Sequence, residues 1–277
     1  MNKFTKITLN DGSLMPVIGL GTVHLMSAEG KQAMLAALES GYRMIDTAQS
    51  YDNEETVGEA VRESKIPRQD VFITTKIHDE NQGYTSTMDS FYDSLKRLQM
   101  DYVDLLLVHW PNVDNFERSL DTWQALIDLR GQDKAKSIGV SNYTRDFIQT
   151  TINHSGVTPS VNQVEFSPFL YQAELMKYCK SKGIKIQAYS PIVRAKRDDN
   201  PLLQTLAEKY HKSPVQVILR WHIEHGVVPI PRSLNPAHIK NNIDIFDFSL
   251  SEDEVKAIDD LDEGLRLVHP EKAPEEW

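Results

Sequence analysis

Thr5, Ile7 and Leu9 alternate with their neighbours up to Asn10-Asp11-Gly12-Ser13, and Leu14, Pro16 and Ile18 resume the alternation beyond it. An Asp-Gly pair between two alternating segments predicts a β-hairpin. After it, short apolar or β-branched runs begin near Arg43, Val71, Val103, Lys136, Ser160, Ile184 and Val227, separated by stretches of helical periodicity. Their spacing, mostly ~24 to 34 residues, is the scale of a strand-plus-helix unit. Ser27 is a candidate N-cap for a helix with Met34, Leu35 and Leu38 on its apolar face and Gly41 at its end. Asn53 is placed to cap a helix burying Val57, Ala60 and Val61, and Met88, Phe91, Leu95 and Leu98 mark another. Ser213-Pro214 reads as a cap followed by proline at the first helical position, and Ser251-x-x-Glu254 as a capping box.

The run at 103–108, broken only by Asp104, is patterned like a parallel strand covered on both faces. Eight units of roughly thirty residues plus a hairpin nearly exhaust the chain. The predicted fold is therefore a (β/α)8 TIM barrel with an N-terminal β-hairpin and extra C-terminal helices. It occupies 1–277 as one domain, since no change of composition marks a boundary.

Charge narrows the partners. Thirty basic against forty acidic residues give a net charge of −10, which repels nucleic acid and requires any phosphate-bearing ligand to meet a local basic pocket. Cys179 is the one cysteine and cannot form an internal disulfide. No apolar run reaches the ~18 residues of a membrane span, and residues 1–10 lack the apolar stretch of a signal peptide. The expectation is a cytoplasmic monomer acting on a small molecule, with neither nucleic acid nor membrane as partner.

Common motifs are mostly declined. Gly19-Leu20-Gly21 starts like a dinucleotide fingerprint, but His24 stands where its third glycine belongs. Tyr92-x-x-x-Lys96 and Tyr178-x-x-x-Lys182 sit in segments that read as outer helices. His222, Glu224 and His225 do not have the spacing of a zinc site, so no metal is expected.

A stronger signal lies at the C-terminal ends of the proposed strands. Asp46 follows Arg43-Met44-Ile45, Lys76 follows the run from Val71, and His109 and Trp110 follow the run from Val103. Ser141 and Asn142 end the next strand, Gln163 lies within another, and Tyr189 and Ser190 close a third. The C-terminal mouth of a barrel is where active sites are built, from the ends of several strands.

These residues also carry a resemblance. Gly41-Tyr42-Arg43-Met44-Ile45-Asp46-Thr47-Ala48-Gln49-Ser50-Tyr51-Asp52-Asn53-Glu54, with Gly58, resembles the signature segment of the aldo-keto reductases. The likeness continues in order through Thr74-Thr75-Lys76, Leu106-Leu107-Val108-His109-Trp110-Pro111 and Ile138-Gly139-Val140-Ser141-Asn142. Asn162-Gln163-Val164-Glu165, Ala188-Tyr189-Ser190-Pro191 and Ile230-Pro231-Arg232-Ser233 complete it over essentially the whole chain.

The resemblance implies a catalytic tetrad of Asp46, Tyr51, Lys76 and His109. Each has a physical task in reducing a carbonyl. Lys76 beside the Tyr51 phenol is expected to lower its pKa and make it a better acid, while Asp46 holds the ammonium charged. His109 orients the carbonyl oxygen and stabilises its developing charge. The hydride belongs to a nicotinamide cofactor.

By the same resemblance, Tyr189 stacks on the nicotinamide, and Ser141, Asn142 and Gln163 bond its carboxamide. Gly21, Thr22, Val23 and Asp46 lie on the nicotinamide side, and Ser190, Pro191 and Ile192 run under the pyrophosphate. Arg232, Ser233, Asn235 and His238 align with the site for an adenosine 2′-phosphate, with Asn241 and Asn242 beside the adenine. Two positions depart from the family pattern: Arg232 replaces the usual lysine and adds a bidentate fork, and His238 replaces the usual arginine with less charge at neutral pH. NADP(H) is the implied cofactor, with NADH within reach.

Substrate contacts are expected from Val23, His24, Tyr51, His109 and Trp110, with Val23 in place of a common aromatic. The short stretch from Pro111 to Glu117 and the brief segment after Asp262 match compact bacterial members that reduce small dicarbonyls, keto-sugars or reactive aldehydes. Trp277 either covers the pocket or stands in solvent. Two alternatives stay open: a non-catalytic NADPH-binding redox-sensing subunit, and a hydrolase using Asp46 and Glu165, whose carboxylates must then lie ~5 to 9.5 Å apart.

Overall fold

The computed structural model describes residues 1–193 and 196–269; Trp277 lies outside them. The expected hairpin forms from β1 (Lys6–Thr8) and β2 (Leu14–Pro16), antiparallel with Ile7 opposite Met15. Eight parallel strands follow: β3 (Leu20–Gly21), β4 (Met44–Asp46), β5 (Phe72–Ile77), β6 (Val103–Val108), β7 (Ala135–Ser141), β8 (Val161–Glu165), β9 (Lys185–Tyr189) and β10 (Val228–Pro229). Neighbours in sequence are neighbours in the sheet throughout. The sheet closes on itself where Gly19 N–H donates to Pro229 O at 3.1 Å and Gly21 N–H to Pro231 O at 3.2 Å. An alternating α/β chain has therefore curled into the predicted barrel.

β3 is the strand that the hydrophobic pattern does not announce, because two residues are too short for periodicity. Its glycine serves the seam: a Cβ on Gly21 would lie 2.8 Å from Ile230 O. Close backbone approach is what Gly21 provides here.

Strand residues alternate between two cores. Met44, Phe72, Leu105, Leu107, Val161 and Val228 face the barrel interior, where Leu9 and Met15 of the hairpin join them and plug the end opposite the strand C-termini. Leu106, Val108, Ile138 and Val164 face outward into the larger core beneath the helices. Those helices are α1 (Ala28–Ser40), α2 (Glu54–Glu63), α3 (Tyr84–Leu98), α4 (Phe116–Gly131), α5 (Arg145–Ser155), α6 (Ala173–Ser181), α7 (Pro201–Tyr210), α8 (Pro214–Glu224), α9 (Pro236–Ile243) and α10 (Glu252–Asp259).

Most predicted caps are present. Ser27 accepts from Gly30 N–H and Gly41 ends α1 in the left-handed region at φ 108°, while Ser213 with Gln216 and Ser251 with Glu254 form full capping boxes. Asn53 is the exception. It precedes α2, but its amide donates to Thr22 O at 2.8 Å and Leu25 O at 3.3 Å, tying down the β3–α1 loop instead. Among the described residues, no helix is long and apolar enough to cross a membrane.

Candidate active site

Asp46 ends β4, Lys76 lies one residue before the end of β5, and His109 follows β6 directly. Tyr51 rides on a single 3-10 turn, Gln49–Tyr51, separated from β4 only by Thr47 and Ala48. Parallel strands in register thus bring four residues distant in sequence to one mouth. Lys76 Nζ is fully buried and lies 2.6 Å from Asp46 Oδ1, 2.9 Å from Thr47 O and 3.3 Å from Tyr51 Oη. The Tyr51 and His109 rings meet edge to face at 5.8 Å, and Ser50 Oγ lies 3.4 Å from His109 Nδ1.

Burial acts on all three charged or ionisable partners. It alone would depress Lys76, but Asp46 and Tyr51 outweigh it and hold the ammonium above its ordinary pKa. Burial raises Asp46 against the opposing pull of Lys76 and Gln163. It also raises Tyr51, and here the expected net lowering is corrected: desolvation of the phenolate exceeds the attraction of Lys76. The phenol is kept protonated, with a cation beside the oxygen that loses the proton.

The other Asp46 oxygen accepts from Gln163 Nε2 at 2.7 Å, and the same nitrogen donates to Gln187 Oε1 at 2.7 Å. With both its N–H groups spent, Gln163 can offer a ligand only its carbonyl oxygen. Asn142 is similarly engaged: Nδ2 donates to His109 O at 3.0 Å and Ser141 Oγ at 3.1 Å, and Oδ1 accepts from Tyr189 Oη at 2.8 Å. It therefore fixes both the His109 backbone and the Tyr189 ring. Asn142 and Ser190, with His24 across the mouth, adopt left-handed backbone at φ 63°, 49° and 63°. Such conformations in non-glycine residues cost on the order of 1 kcal/mol each and collect at functional sites.

A cavity of about 870 Å³ opens over these groups. Val23, His24, Tyr51, His109 and Trp110, the residues expected to touch substrate, are among those that line it. Gly21, Thr22, Ser141, Gln163 and Tyr189 line its floor, and Ser190, Pro191 and Ile192 continue it outward. Its far end is formed by Arg232, Ser233, Leu234 and His238 at the N-terminus of α9. A guanidinium, an imidazole, a hydroxyl and a helix N-terminus together suit a phosphate.

Three more residues are expected at the cofactor, Asn235 at the 2′-phosphate and Asn241 and Asn242 beside the adenine. Asn235 accepts from Ala237 N–H at 2.9 Å as the cap of α9, Asn241 is exposed, and Asn242 is buried on the inner face of that helix. Both carboxylates of the hydrolase alternative are engaged within the protein. Asp46 is held by Lys76 and Gln163, while Glu165 accepts from backbone amides of the C-terminal segment.

Sequence reasoning passed over other lining residues. His78 and Asp79 follow β5 as His109 follows β6, so the strand-end rule itself reaches them. Val268 and His269 also line the cavity, and His269 meets Trp110 edge to face at 5.7 Å. No periodicity marks that segment. His222 is buried with Nδ1 2.8 Å from Ile218 O and Nε2 3.1 Å from Phe166 O, and His225 pairs with Asp259 at 2.8 Å.

Comparison with known proteins agrees with this geometry. The profile of the Aldo/keto reductase family matches residues 17–263. Glyoxal reductase of Bacillus subtilis is 44% identical over 262 residues, covering 94% of both chains. A 2,5-diketo-D-gluconic acid reductase B from a Corynebacterium species is 44% identical over 265 residues, covering 95% of each. Among solved structures, an aldo-keto reductase of Bombyx mori in complex with NADP superposes with a TM-score of 0.89 at 38% identity over 94% of each chain.

Proposed function

The chain belongs to the aldo/keto reductase family, and from that premise we propose that it reduces the carbonyl of a small aldehyde, dicarbonyl or keto-sugar to the alcohol, using NADPH, with Tyr51 as general acid. The observation that carries the reading is the Asp46–Lys76–Tyr51 chain, 2.6 Å and 3.3 Å between successive polar atoms, ending beside His109 in the cavity. When bound, NADPH supplies the hydride. The protein supplies the proton and the placement.

Burial keeps the Tyr51 phenol protonated until a carbonyl oxygen gathers negative charge next to it. Transfer of the phenolic proton to that oxygen leaves a tyrosinate, which the Lys76 ammonium stabilises from 3.3 Å. Asp46 keeps the ammonium in place, and Gln163 keeps Asp46 in place. His109, across from Tyr51, donates to the same carbonyl oxygen and fixes its approach. Arg232 and His238 select the 2′-phosphate. The barrel acts as one unit, a cytoplasmic monomer on a small-molecule substrate.

Initial rates of cofactor oxidation with a small dicarbonyl such as glyoxal, at matched NADPH and NADH, test this. Turnover with NADPH preferred is expected. NADPH binding without turnover across a panel of aldehydes and ketones would replace the reading with a redox-sensing subunit.

A further inference from the structure

Glu165 is 2% exposed at the end of β8, directly beside the cofactor floor, yet neither hydride nor proton transfer employs it. Its Oε1 accepts from Leu267 N–H at 2.9 Å and its Oε2 from Val268 N–H at 3.1 Å. Both oxygens of one buried carboxylate therefore grip two consecutive amides roughly a hundred residues away in sequence. Two bonds to one side chain, one on each oxygen, fix the direction of the segment as well as its distance. Just upstream, Glu263 and Leu265 N–H groups donate to Phe169 O at 3.3 and 2.8 Å, and Tyr171 N–H donates to Asp262 Oδ1 at 3.2 Å.

The segment after α10 has no regular secondary structure through residue 269, so these contacts decide where it runs. It runs across the mouth, where Val268 and His269 become part of the cavity wall and His269 abuts Trp110. Glu165 also pairs in register with Tyr189 and lies two residues beyond Gln163. One strand end thus holds both the cofactor floor and the wall facing it.

We infer that Glu165 is a positioning residue for the substrate: its carboxylate latches the segment 267–269 over the cavity, and the Val268–His269 wall it sets in place against Trp110 contacts the far end of the carbonyl compound. The inference rests on the proposed reductase reading for its substrate, but the latch itself has a readout that needs no turnover.

Glu165→Gln keeps the size of the side chain and places an N–H₂ group against one of the two amide donors. Leu267→Pro breaks the same contact from the other side by removing a donor. In the full-length protein, each variant is expected to raise KM for a small dicarbonyl about tenfold, the size of one lost hydrogen bond, with kcat and NADPH affinity within about twofold. The effects in the double variant should be less than multiplicative, because both variants loosen the same two-pronged hold. Hydrogen exchange at the Val268 amide should be slow in the wild type and at least about tenfold faster in both variants.

Equal exchange in wild type and Glu165→Gln would overturn the latch, as would multiplicative KM effects in the double variant. A fall in kcat and NADPH affinity with KM unchanged would overturn it in favour of action through Tyr189. Should Glu165→Gln fail to fold, Leu267→Pro leaves the carboxylate intact and decides the matter alone. A wild type that reduces no carbonyl would fail the reductase reading, while the exchange experiment would still judge the latch.

Discussion

The mouth of this barrel has two unlike halves. Asp46, Lys76, Ser141, Gln163 and Tyr189 stand on strands or at their ends, and His109 follows one directly. Nearly every polar atom of this half is bonded to another part of the protein, as in the run from Gln163 through Asp46 and Lys76 to Tyr51. The other half, from Arg232 to His238 at one side and residues 267–269 at another, is carried by loops and helix starts, and Arg232 and His238 are exposed. Proton transfer fails when atoms are misplaced by fractions of an ångström, whereas a phosphate is attracted by charge over a distance. On the reductase reading proposed above, the difference in construction follows the difference in tolerance.

The sharpest way to break the comparison is at the strand-borne half. Tyr51→Phe removes the proton and nothing else in the run. The expected result is a loss in kcat on the order of 10³-fold, within the range of lost general acid catalysis, with NADPH affinity within about twofold of wild type. Retained turnover in a single-turnover assay would mean that the acid is another group.

Lys76→Met asks whether that half is also a structural element. It leaves Asp46, 1% exposed, facing an apolar side chain. Stranding one member of a buried ion pair costs about 3 kcal/mol or more, to be read by denaturant unfolding at neutral pH. Stability unchanged within about 0.5 kcal/mol would mean that Asp46 simply takes up a proton and that the ion pair serves chemistry alone.

How far the two halves could be read from the residues alone follows from the same contrast. Strand ends recur at the spacing of the βα unit, so periodicity by itself puts Asp46, Lys76, His109, Ser141 and Tyr189 on one rim. The net pKa direction of Tyr51 could not be read that way, because it depends on how much desolvation accompanies the Lys76 charge. Asn53 likewise has the right type and position for a cap, and only the path of the β3–α1 loop shows that its amide is engaged elsewhere. The grip of Glu165 on 267 and 268 joins the end of a strand to an aperiodic segment, and no spacing rule connects them.

His222 supports the strand-borne half from behind, through Phe166, the residue after Glu165. Burial, only partly offset by the Ile218 and Phe166 carbonyls, lowers its pKa to about 4. An unfolded-state histidine titrates near ~6.5. Because the folded value is depressed, the unfolded chain takes up the proton first as pH falls, and stability is lost between the two values. From pH 7 to pH 5 this group accounts for about 2 kcal/mol. Unfolding curves of wild type and His222→Gln at the two pH values measure it: the variant should lose about that much less on acidification. An equal loss in both would place the acid sensitivity elsewhere in the barrel.

Arg232→Ala carries the smallest expected effect and the clearest contrast. The side chain is exposed, so its removal should move unfolding free energy by no more than about 0.5 kcal/mol, unlike the loss expected for Lys76→Met. Its guanidinium can meet a 2′-phosphate with two parallel hydrogen bonds, yet solvent screens the pair, and a loss of about tenfold in NADPH affinity is the scale for one such contact. NADH has no 2′-phosphate, and its affinity should stay within about twofold. His238→Arg adds a second guanidinium and should tighten NADPH severalfold by the same reasoning, again without moving NADH. Equal weakening of both cofactors by Arg232→Ala would show that this residue orders the loop rather than reads the phosphate. The exposed half would then be built for placement, like the buried one, and the contrast between them would fail at the point where it is drawn most strongly.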